Sequence, residues 1–253
     1  PSSAGPTRLY SVTIDGSEAP RDLTVALPAD TEVRGVVHPS QNGRRVAFLF
    51  APTNASANRL GSAPLDGGGS ALQISLNAQP VQADFALAPD GSALVYRVAS
   101  TLARVDMYWA AADGSSAPRR LNPSLASRGS VTQFTIDWAS GRALYVADQA
   151  VDERFELFSV LLDGSAPARP FLAPVTGPAT RFALSADGLT LYFTAPTAPG
   201  RLDVFRAPLA GGAAQNLSSA SAGFATVAHL ALASDGAPSP RAEETRPTAK
   251  NIL

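Results

Sequence analysis

A polar turn followed by a short apolar strand recurs along this chain at a nearly constant interval. The glycines of this turn lie 47 to 50 residues apart, at Gly43, Gly91, Gly141, Gly188 and Gly236. A second set of turns, most of them Asp-Gly, interleaves with the first at intervals of 47 to 51 residues: Gly16, Gly67, Gly114, Gly164 and Gly211. Because two independent markers share one period, the chain consists of repeated structural units.

Each repeat contains four short candidate strands. The first strand precedes the first turn and the second follows it, as "QADFALA" and "ALVYRV" do around Gly91. The third strand ends at the second turn, and a shorter fourth strand comes after it. Asp-Gly between two apolar runs is a strong hairpin signal, because its turn needs positive φ. No segment has the apolar spacing of a helix. Four antiparallel strands in a repeat of about 40–50 residues are typical of a propeller blade.

The segments "FALAPDGSALVYR" from Phe85 and "DMYWAAADGSSAPRRL" from Asp106 carry the repeat most clearly. This pattern resembles the repeat of the TolB-type (WD40-like) β-propellers, and the resemblance extends from residue 8 to about residue 236. It implies an architecture rather than an activity, because the marked residues are turn and core positions. Similar repeats form the propeller domains of prolyl-oligopeptidase-type peptidases, whereas TolB itself is a periplasmic interaction protein with six blades.

The expected fold is an all-β propeller of five four-stranded blades, the last of which is composite. The N-terminus supplies the third and fourth strands of that blade (9–14 and 22–26), and the C-terminus supplies the first strand, 227–232. Residues 1–236 then form one propeller domain, and 237–253 form a polar, Pro-rich tail. The second strand of the composite blade is missing. Either "TAKNIL" at the end of the tail closes the blade, or the tail is disordered, or further blades follow.

Composition excludes several classes of protein. The net charge is −1 and no cluster of Lys and Arg stands out, which argues against binding to nucleic acid. The chain has no cysteine, so disulfides, thiolate metal sites and a cysteine nucleophile are excluded. No apolar run approaches the roughly 18 residues of a membrane-spanning helix.

Polar residues take matching positions on the first strands, which line the axis of a propeller. The strands align on Val37, Phe85, Phe134, Phe182 and Leu230. Polar side chains directly beside these anchors share one face by the two-residue period of a strand. They predict a ligand-binding ring, with interblade hydrogen bonds around a water-filled channel as the alternative. The ring consists of His38, Asp84, Gln133, Arg181 and His229.

No catalytic set, metal site or cofactor site is predicted. His38, Asp84 and His229 could converge on a metal ion, but their local spacing gives no support for one. A glycosidase needs two or three axial carboxylates, and only Asp84 is in register, with Glu32 and Asp137 off register. The G-x-S-x-G motif of serine hydrolases does not occur.

Two sets of apolar residues are expected in the blade cores. On the second strands the expected anchors are Phe48, Val95, Tyr145 and Tyr192. On the third strands an aromatic stripe of matching register is expected, formed by Tyr108, Trp109, Phe158 and Phe205.

The predicted function is that of a non-enzymatic scaffold that binds a protein or a peptide, in the bacterial periplasm or outside the cell. A monomer is expected, with no nucleic-acid partner and no membrane span. The alternative is the propeller part of a hydrolase, either a lone glycosidase-like propeller or the gating domain of a prolyl-oligopeptidase-type peptidase.

Overall fold

The computed structural model describes residues 5–76, 79–101, 104–170, 175–176, 181–185, 187–198, 201–209 and 213–218. Within these ranges all regular secondary structure is β-strand. The strands are β1 (Tyr10–Ser11), β2 (Arg21–Asp22), β3 (Thr31–Pro39), β4 (Arg45–Pro52), β5 (Arg59–Pro64), β6 (Leu72–Gln73), β7 (Val81–Leu87), β8 (Ala93–Thr101), β9 (Arg104–Ala111), β10 (Arg119–Arg120), β11 (Val131–Asp137), β12 (Arg142–Ala147), β13 (Arg154–Leu161), β14 (Arg169–Pro170), β15 (Val175–Thr176), β16 (Phe182–Leu184), β17 (Thr190–Ala198), β18 (Arg201–Pro208) and β19 (Gln215–Asn216).

The strands form four successive antiparallel sheets in which each strand pairs with the next along the chain. We call them blade 1 (β3–β6), blade 2 (β7–β10), blade 3 (β11–β14) and blade 4 (β16–β19). Strand β15 makes an additional pair with β13, and β1 pairs with β2. The predicted all-β propeller is therefore confirmed. The C-terminal strand predicted at 227–232 and the tail 237–253 lie outside the described residues.

The N-terminal pair β1–β2 occupies the third and fourth positions of a blade, as the composite-blade prediction requires. The backbone N–H of Leu23 donates to the carbonyl of Leu9 at 2.8 Å. The same bond, also at 2.8 Å, joins the fourth strand to the third in blades 1, 2 and 4: Ile74 to Leu60, Leu121 to Met107 and Leu217 to Val204.

The hydrophobic core is divided among the interfaces between consecutive sheets. One cluster joins Leu49 and Leu60 of blade 1 to Phe85 and Tyr96 of blade 2. Further clusters join the N-terminal pair to blade 1, blade 2 to blade 3 and blade 3 to blade 4. Each sheet thus buries its apolar faces against its neighbours in the sequence, because a single small sheet cannot cover them alone.

The four residues predicted as second-strand core anchors are all buried, and the pairing assigns them to two faces of the blades. The first-strand anchors Val37, Phe85, Phe134 and Phe182 pair with Phe48, Tyr96, Tyr145 and Phe193. Val95 and Tyr192 are therefore one residue away from the anchor position. They are buried as well, but their side chains point to the opposite face of the blade, because the strand period is two residues.

Aromatic residues on the third strands stack on those of the second strands. Three pairs have ring centroids 5.3–6.0 Å apart and interplanar angles of 13–22°: Tyr96 with Tyr108, Tyr145 with Phe158, and Phe193 with Phe205. Trp109 does not belong to this stripe, contrary to the prediction, because it pairs with Val95 and so lies on the other face.

Blade 1 has glycine where the other described blades carry the third-strand aromatic. Gly61 pairs with Phe48, and a Cβ added to Gly61 would lie 2.8 Å from Phe48 Cε2. The ring of Phe48 therefore covers the space that Tyr108, Phe158 and Phe205 fill in blades 2 to 4.

The recurring Asp-Gly-Ser sequence builds its own turn. The glycine of each described turn in the two series has a φ between 62° and 74°, a region that side chains disfavour. At Asp90 the carboxylate accepts the backbone N–H of Ser92 at 2.9 Å and its hydroxyl at 2.7 Å. These hydrogen bonds lower the pKa of Asp90. The turn recurs because every blade needs this hairpin.

The outer strand of one sheet contacts a turn of the next sheet. A guanidinium N–H of Arg21 on β2 donates to the carbonyl of Asp66, and one of Arg119 on β10 donates to the carbonyl of Leu162. The Arg21 side chain lies against Gly67, and the Arg119 side chain lies against Gly164. A Cβ atom on either glycine would collide with that arginine. Leu72 of β6 packs beside Gly114 in the equivalent place.

Candidate functional site

Three of the first strands leave regular pairing at or shortly before a predicted ring residue. In β7, Val81 pairs with Val98 and Phe85 with Tyr96, so three residues lie opposite Arg97 alone. Strand β3 has the same irregularity, between Val33 and Val37, and β11 has a shorter one, between Val131 and Gln133. A bulge at this point changes the direction of side chains on the inner strand, which is a common device beside binding sites.

Asp84, in the bulge of β7, forms an ion pair with Arg97 of β8. The Nε of Arg97 donates to both carboxylate oxygens, at 2.8 and 3.0 Å, and Nη2 lies 2.8 Å from Oδ2. The Arg97 side chain is 16% exposed, whereas that of Asp84 is 44% exposed. The guanidinium thus fixes the orientation of a carboxylate that remains open to solvent on its other side.

Arg97 also joins blade 2 to blade 3. Its Nη1 donates to the backbone carbonyls of Val131 and Thr132, both at 2.7 Å, directly before Gln133 of the predicted ring. Sequence reasoning did not identify Arg97. A signal was present, because Arg97 is the one charged residue in the interior of the four second strands.

His38 lies beside the Asp84 strand. Its imidazole is exposed, and its ring centroid is 4.8 Å from that of Phe85, at an interplanar angle of 46°. The structure therefore brings together His38 of blade 1 and the Phe85 segment of blade 2, which includes Asp84. These two ring members come from neighbouring first strands.

Gln133 and Arg181 continue the ring positions on blades 3 and 4. The Nε2 of Gln133 is buried and donates no hydrogen bond within the described structure. Arg181 is exposed to solvent. Its backbone N–H donates to Thr194 Oγ1 at 3.1 Å, and its backbone carbonyl accepts the N–H of Thr194 at 2.8 Å. The fifth predicted member, His229, lies outside the described residues.

The two off-register carboxylates have local structural roles. Glu32 accepts a hydrogen bond from Arg34 Nε at 3.1 Å, and Asp137 accepts one from the hydroxyl of Ser140 at 2.5 Å. Among the residues that the structure describes, no three His, Cys, Asp or Glu side chains are grouped closely enough to hold a metal ion.

An open groove of about 760 Å³ lies between the turns of blades 1 and 2. Three of its charged side chains already have partners inside the protein. Arg45 donates to the carbonyl of Ala112 at 3.0 Å, and Asp90 and Asp113 accept hydrogen bonds within their own turns. We therefore consider the ring, and not this groove, to be the candidate site.

Solved structures share this arrangement of blades. TolB from Acinetobacter baumannii superposes with a TM-score of 0.50 and 13% identity, over 90% of this chain and 52% of that one. The fold is a β-propeller similar to that of TolB. Dipeptidyl peptidase 4 from Porphyromonas gingivalis superposes with a TM-score of 0.59 and 16% identity, over 80% of this chain and 28% of that one. A putative dipeptidyl aminopeptidase IV from Bacteroides ovatus gives 0.56 and 11%, over 79% and 31%.

The chain spans about half the length of the Acinetobacter TolB and about three tenths of the two peptidases. No protein-family model matches its sequence, and no curated protein is significantly similar to it in sequence. In the part of the chain that the structure describes, no helix is long and apolar enough to cross a membrane.

Proposed function

We propose that this TolB-like propeller is a non-enzymatic scaffold that binds a protein or a peptide at the polar ring of its first strands. The ring comprises His38, Asp84, Gln133, Arg181 and His229. The observation that carries the proposal is the Asp84–Arg97 pair. Arg97 uses its donors on Asp84 and on the next blade, so the carboxylate is held in place before any ligand arrives. An acceptor that is already oriented loses little entropy on binding.

Two other predicted ring residues add complementary chemistry. The Nε2 of Gln133 is buried and donates no hydrogen bond within the described residues, so a bound water molecule can satisfy it beside the ligand. The exposed imidazole of His38 can donate or accept a hydrogen bond. The solvent-exposed side of the Asp84 carboxylate can accept hydrogen bonds from backbone N–H groups or cationic side chains of a peptide. An extended polypeptide therefore fits the ring better than an anion does.

A second candidate function is the propeller part of a peptidase. The observation that favours it is the TM-score of 0.56–0.59 with two peptidases, of which this chain covers about three tenths. In that case the ring would contact peptides on their way to a separate hydrolase domain. The resemblance to TolB favours the scaffold and a location in the periplasm or outside the cell. We treat residues 1–236 as one propeller domain and 237–253 as its tail.

Selection from a phage-displayed random peptide library tests the ring. Peptides that bind the full chain are measured against Asp84→Asn, His38→Ala and Gln133→Leu by fluorescence anisotropy. We expect each variant to weaken binding about tenfold, the effect of one lost charge-assisted or buried hydrogen bond. The control Arg44→Ala changes an exposed residue in the turn after β3 and should leave the affinity unchanged.

Two results would contradict the proposal. One is a selection in which no peptide depends on the three ring residues. The other is turnover of chromogenic peptide or glycoside substrates by the purified chain, lost in the ring variants and kept in Arg44→Ala. Turnover of that kind would support the hydrolase alternative.

A further inference from the structure

The turn between β3 and β4 contains the one Asn-Gly pair of this chain, Asn42-Gly43. Such a pair is chemically labile, because glycine has no side chain to keep its backbone nitrogen away from the carboxamide of the preceding asparagine. Both residues are exposed to solvent, and a Cβ added to Gly43 would meet no heavy atom of the rest of the chain within 4 Å. The turn therefore has room for a ring to close between the two residues and for water to reach that ring.

The equivalent turn of blade 4 carries an aspartate, Asp187, at the position of Asn42. In blade 1 the serine hydroxyl two residues before Asn42 and the backbone N–H two residues after it donate to Asn42 Oδ1, at 2.7 and 3.1 Å. In blade 4 the corresponding hydroxyl and N–H donate to Asp187 Oδ1 and lower the pKa of Asp187. The φ of Gly43 is 68° and that of Gly188 is 69°. The same turn thus forms with a carboxylate in place of the amide.

The amide group of Asn42 adds a link to the next blade. Its Nδ2 donates to the backbone carbonyl of Asp90, in the corresponding turn of blade 2, at 2.7 Å. The backbone N–H of Asn42 donates to the carbonyl of Pro89 at 3.1 Å. A carboxylate at position 42 has no N–H for the bond to Asp90, and its oxygen would face the carbonyl oxygen of that residue. The link between the blades therefore needs the amide, whereas the turn itself does not.

We propose that Asn42 is a site of spontaneous deamidation, and that the reaction removes this link between blades 1 and 2. The backbone nitrogen of Gly43 attacks Cγ of Asn42 and loses its proton, and the carboxamide nitrogen leaves as ammonia. Water then adds to either carbonyl of the succinimide, which gives aspartate or isoaspartate at position 42 without any further reactant. Gly43 must first give up its hydrogen bond to the carbonyl of Ser40, and bonds at an exposed hairpin tip open at a low cost in free energy.

The two products differ in how much of the turn they preserve. Aspartate keeps the bonds to Oδ1, as Asp187 does, and loses only the bond to Asp90. Isoaspartate adds a methylene group to the main chain before Gly43, so the 3.0 Å bond from the Gly43 N–H to the Ser40 carbonyl cannot keep its present geometry. In both cases blade 1 loses a hydrogen bond to blade 2. The modification thus acts on the packing of the propeller rather than on the polar ring.

Mass spectrometry of the aged protein tests whether the site reacts. The full chain is kept at neutral pH, either folded or unfolded in urea, and the tryptic peptide 35–44 is followed for deamidation. Asn54 is the matched control, because it is exposed as well but is followed by alanine. We expect conversion of Asn42 and not of Asn54. Asn42 should react several-fold more slowly in the folded chain than in urea, because the bonds of the turn must open first.

Two results of this experiment would overturn the proposal. One is a folded chain in which Asn42 is not converted, or is converted no faster than Asn54. The other is an equal rate in the folded and the unfolded chain, because Asn42 would then not be held by the turn and by its bond to Asp90. Conversion that is confined to Asn42 and retarded by folding supports the proposal.

Three variants test what the modification does to the protein. Asn42→Asp reproduces the aspartate product and should lower the midpoint of thermal unfolding by about 2–4 °C, the effect of one lost hydrogen bond in a chain of this size. Gln41→Glu adds the same charge at an exposed neighbour that keeps the link, and it should leave the midpoint unchanged. Asn42→Ala also loses the bonds to Oδ1 and should lower the midpoint further. An unchanged midpoint in Asn42→Asp would overturn the proposed link, and a midpoint as low as that of Asn42→Ala would overturn the preserved turn.

Discussion

Replacement of Gly61 by alanine tests the idea that the ring of Phe48 fills the place of a missing aromatic. The new methyl group would lie 2.8 and 2.9 Å from two carbons of the Phe48 ring and 3.2 Å from Phe50 Cδ1. Overpacking of this kind costs about 1–3 kcal/mol. Alanine should recover about 0.5–1 kcal/mol of it, since glycine in a strand is entropically unfavourable. We expect a net loss of about 1–2 kcal/mol in the free energy of unfolding, measured by urea titration.

Two companion variants make this test specific. Gly5→Ala introduces the same methyl group where no heavy atom lies within 4 Å, and it should change stability by less than about 0.5 kcal/mol. Phe48→Leu removes the ring atoms that collide, so Gly61→Ala should cost less in that background than alone. The reasoning is refuted if Gly61→Ala is as mild as Gly5→Ala, or if its cost is the same with leucine at position 48.

Three further outcomes are expected from the packing and the charges. Phe85→Ala should lower the free energy of unfolding by about 3–5 kcal/mol in urea titrations. Phe134→Ala should lower it less, because Phe134 is only partly buried. A loss below about 1 kcal/mol for Phe85→Ala would mean that β7 is misassigned. Asp84→Ala should cost about 2 kcal/mol, a value reduced for the exposure of this carboxylate, because Arg97 keeps its charge. Arg97→Leu alone should also destabilise, because it loses the hydrogen bonds to Val131 and Thr132, and the double variant should cost less than the sum of the two single variants; simple additivity would contradict the pairing. For Asp203, burial raises the pKa, but hydrogen bonds from the neighbouring arginine, asparagine and threonine outweigh it and hold the pKa at about 2, below the ordinary 3.8. Because the unfolded carboxylate takes up its proton at a higher pH than the folded one, this contribution to stability is complete above about pH 5 and is lost as the pH falls to about 2; acid unfolding curves of Asp203→Asn should therefore be flatter in that range.

The strand order could be predicted from the sequence because turn and strand repeat with one period. The face of each second-strand residue could not be predicted in the same way. Second strands are buried on both faces, so their apolar runs are continuous and carry no two-residue alternation. Val95 and Tyr192 are buried as predicted, but the sequence does not show that they face away from Tyr96 and Phe193, which lie opposite the first-strand anchors.

The candidate ring could also be predicted only in part from the sequence. Alignment of the first strands placed His38, Asp84 and Gln133 at neighbouring positions, because those strands keep their register with the anchors. The bulge that contains Asp84 and the irregularities before Val37 and Gln133 add residues without changing the apolar pattern, so the sequence hides them. The role of Arg97 depends on carbonyl groups of blade 3, about 35 residues away in sequence. Contacts of this kind become visible only once the blades are packed.

The contacts of Arg21 and Arg119 have a direction, from the outer strand of one sheet to a turn of the sheet that follows it in the chain. During synthesis the earlier sheet leaves the ribosome first, so its outer strand is already in place when the next turn appears. Each new blade then covers the apolar face left by its predecessor and exposes one face of its own. The apolar surface open to chaperones and to aggregation would stay nearly constant while the nascent chain grows from one blade to four.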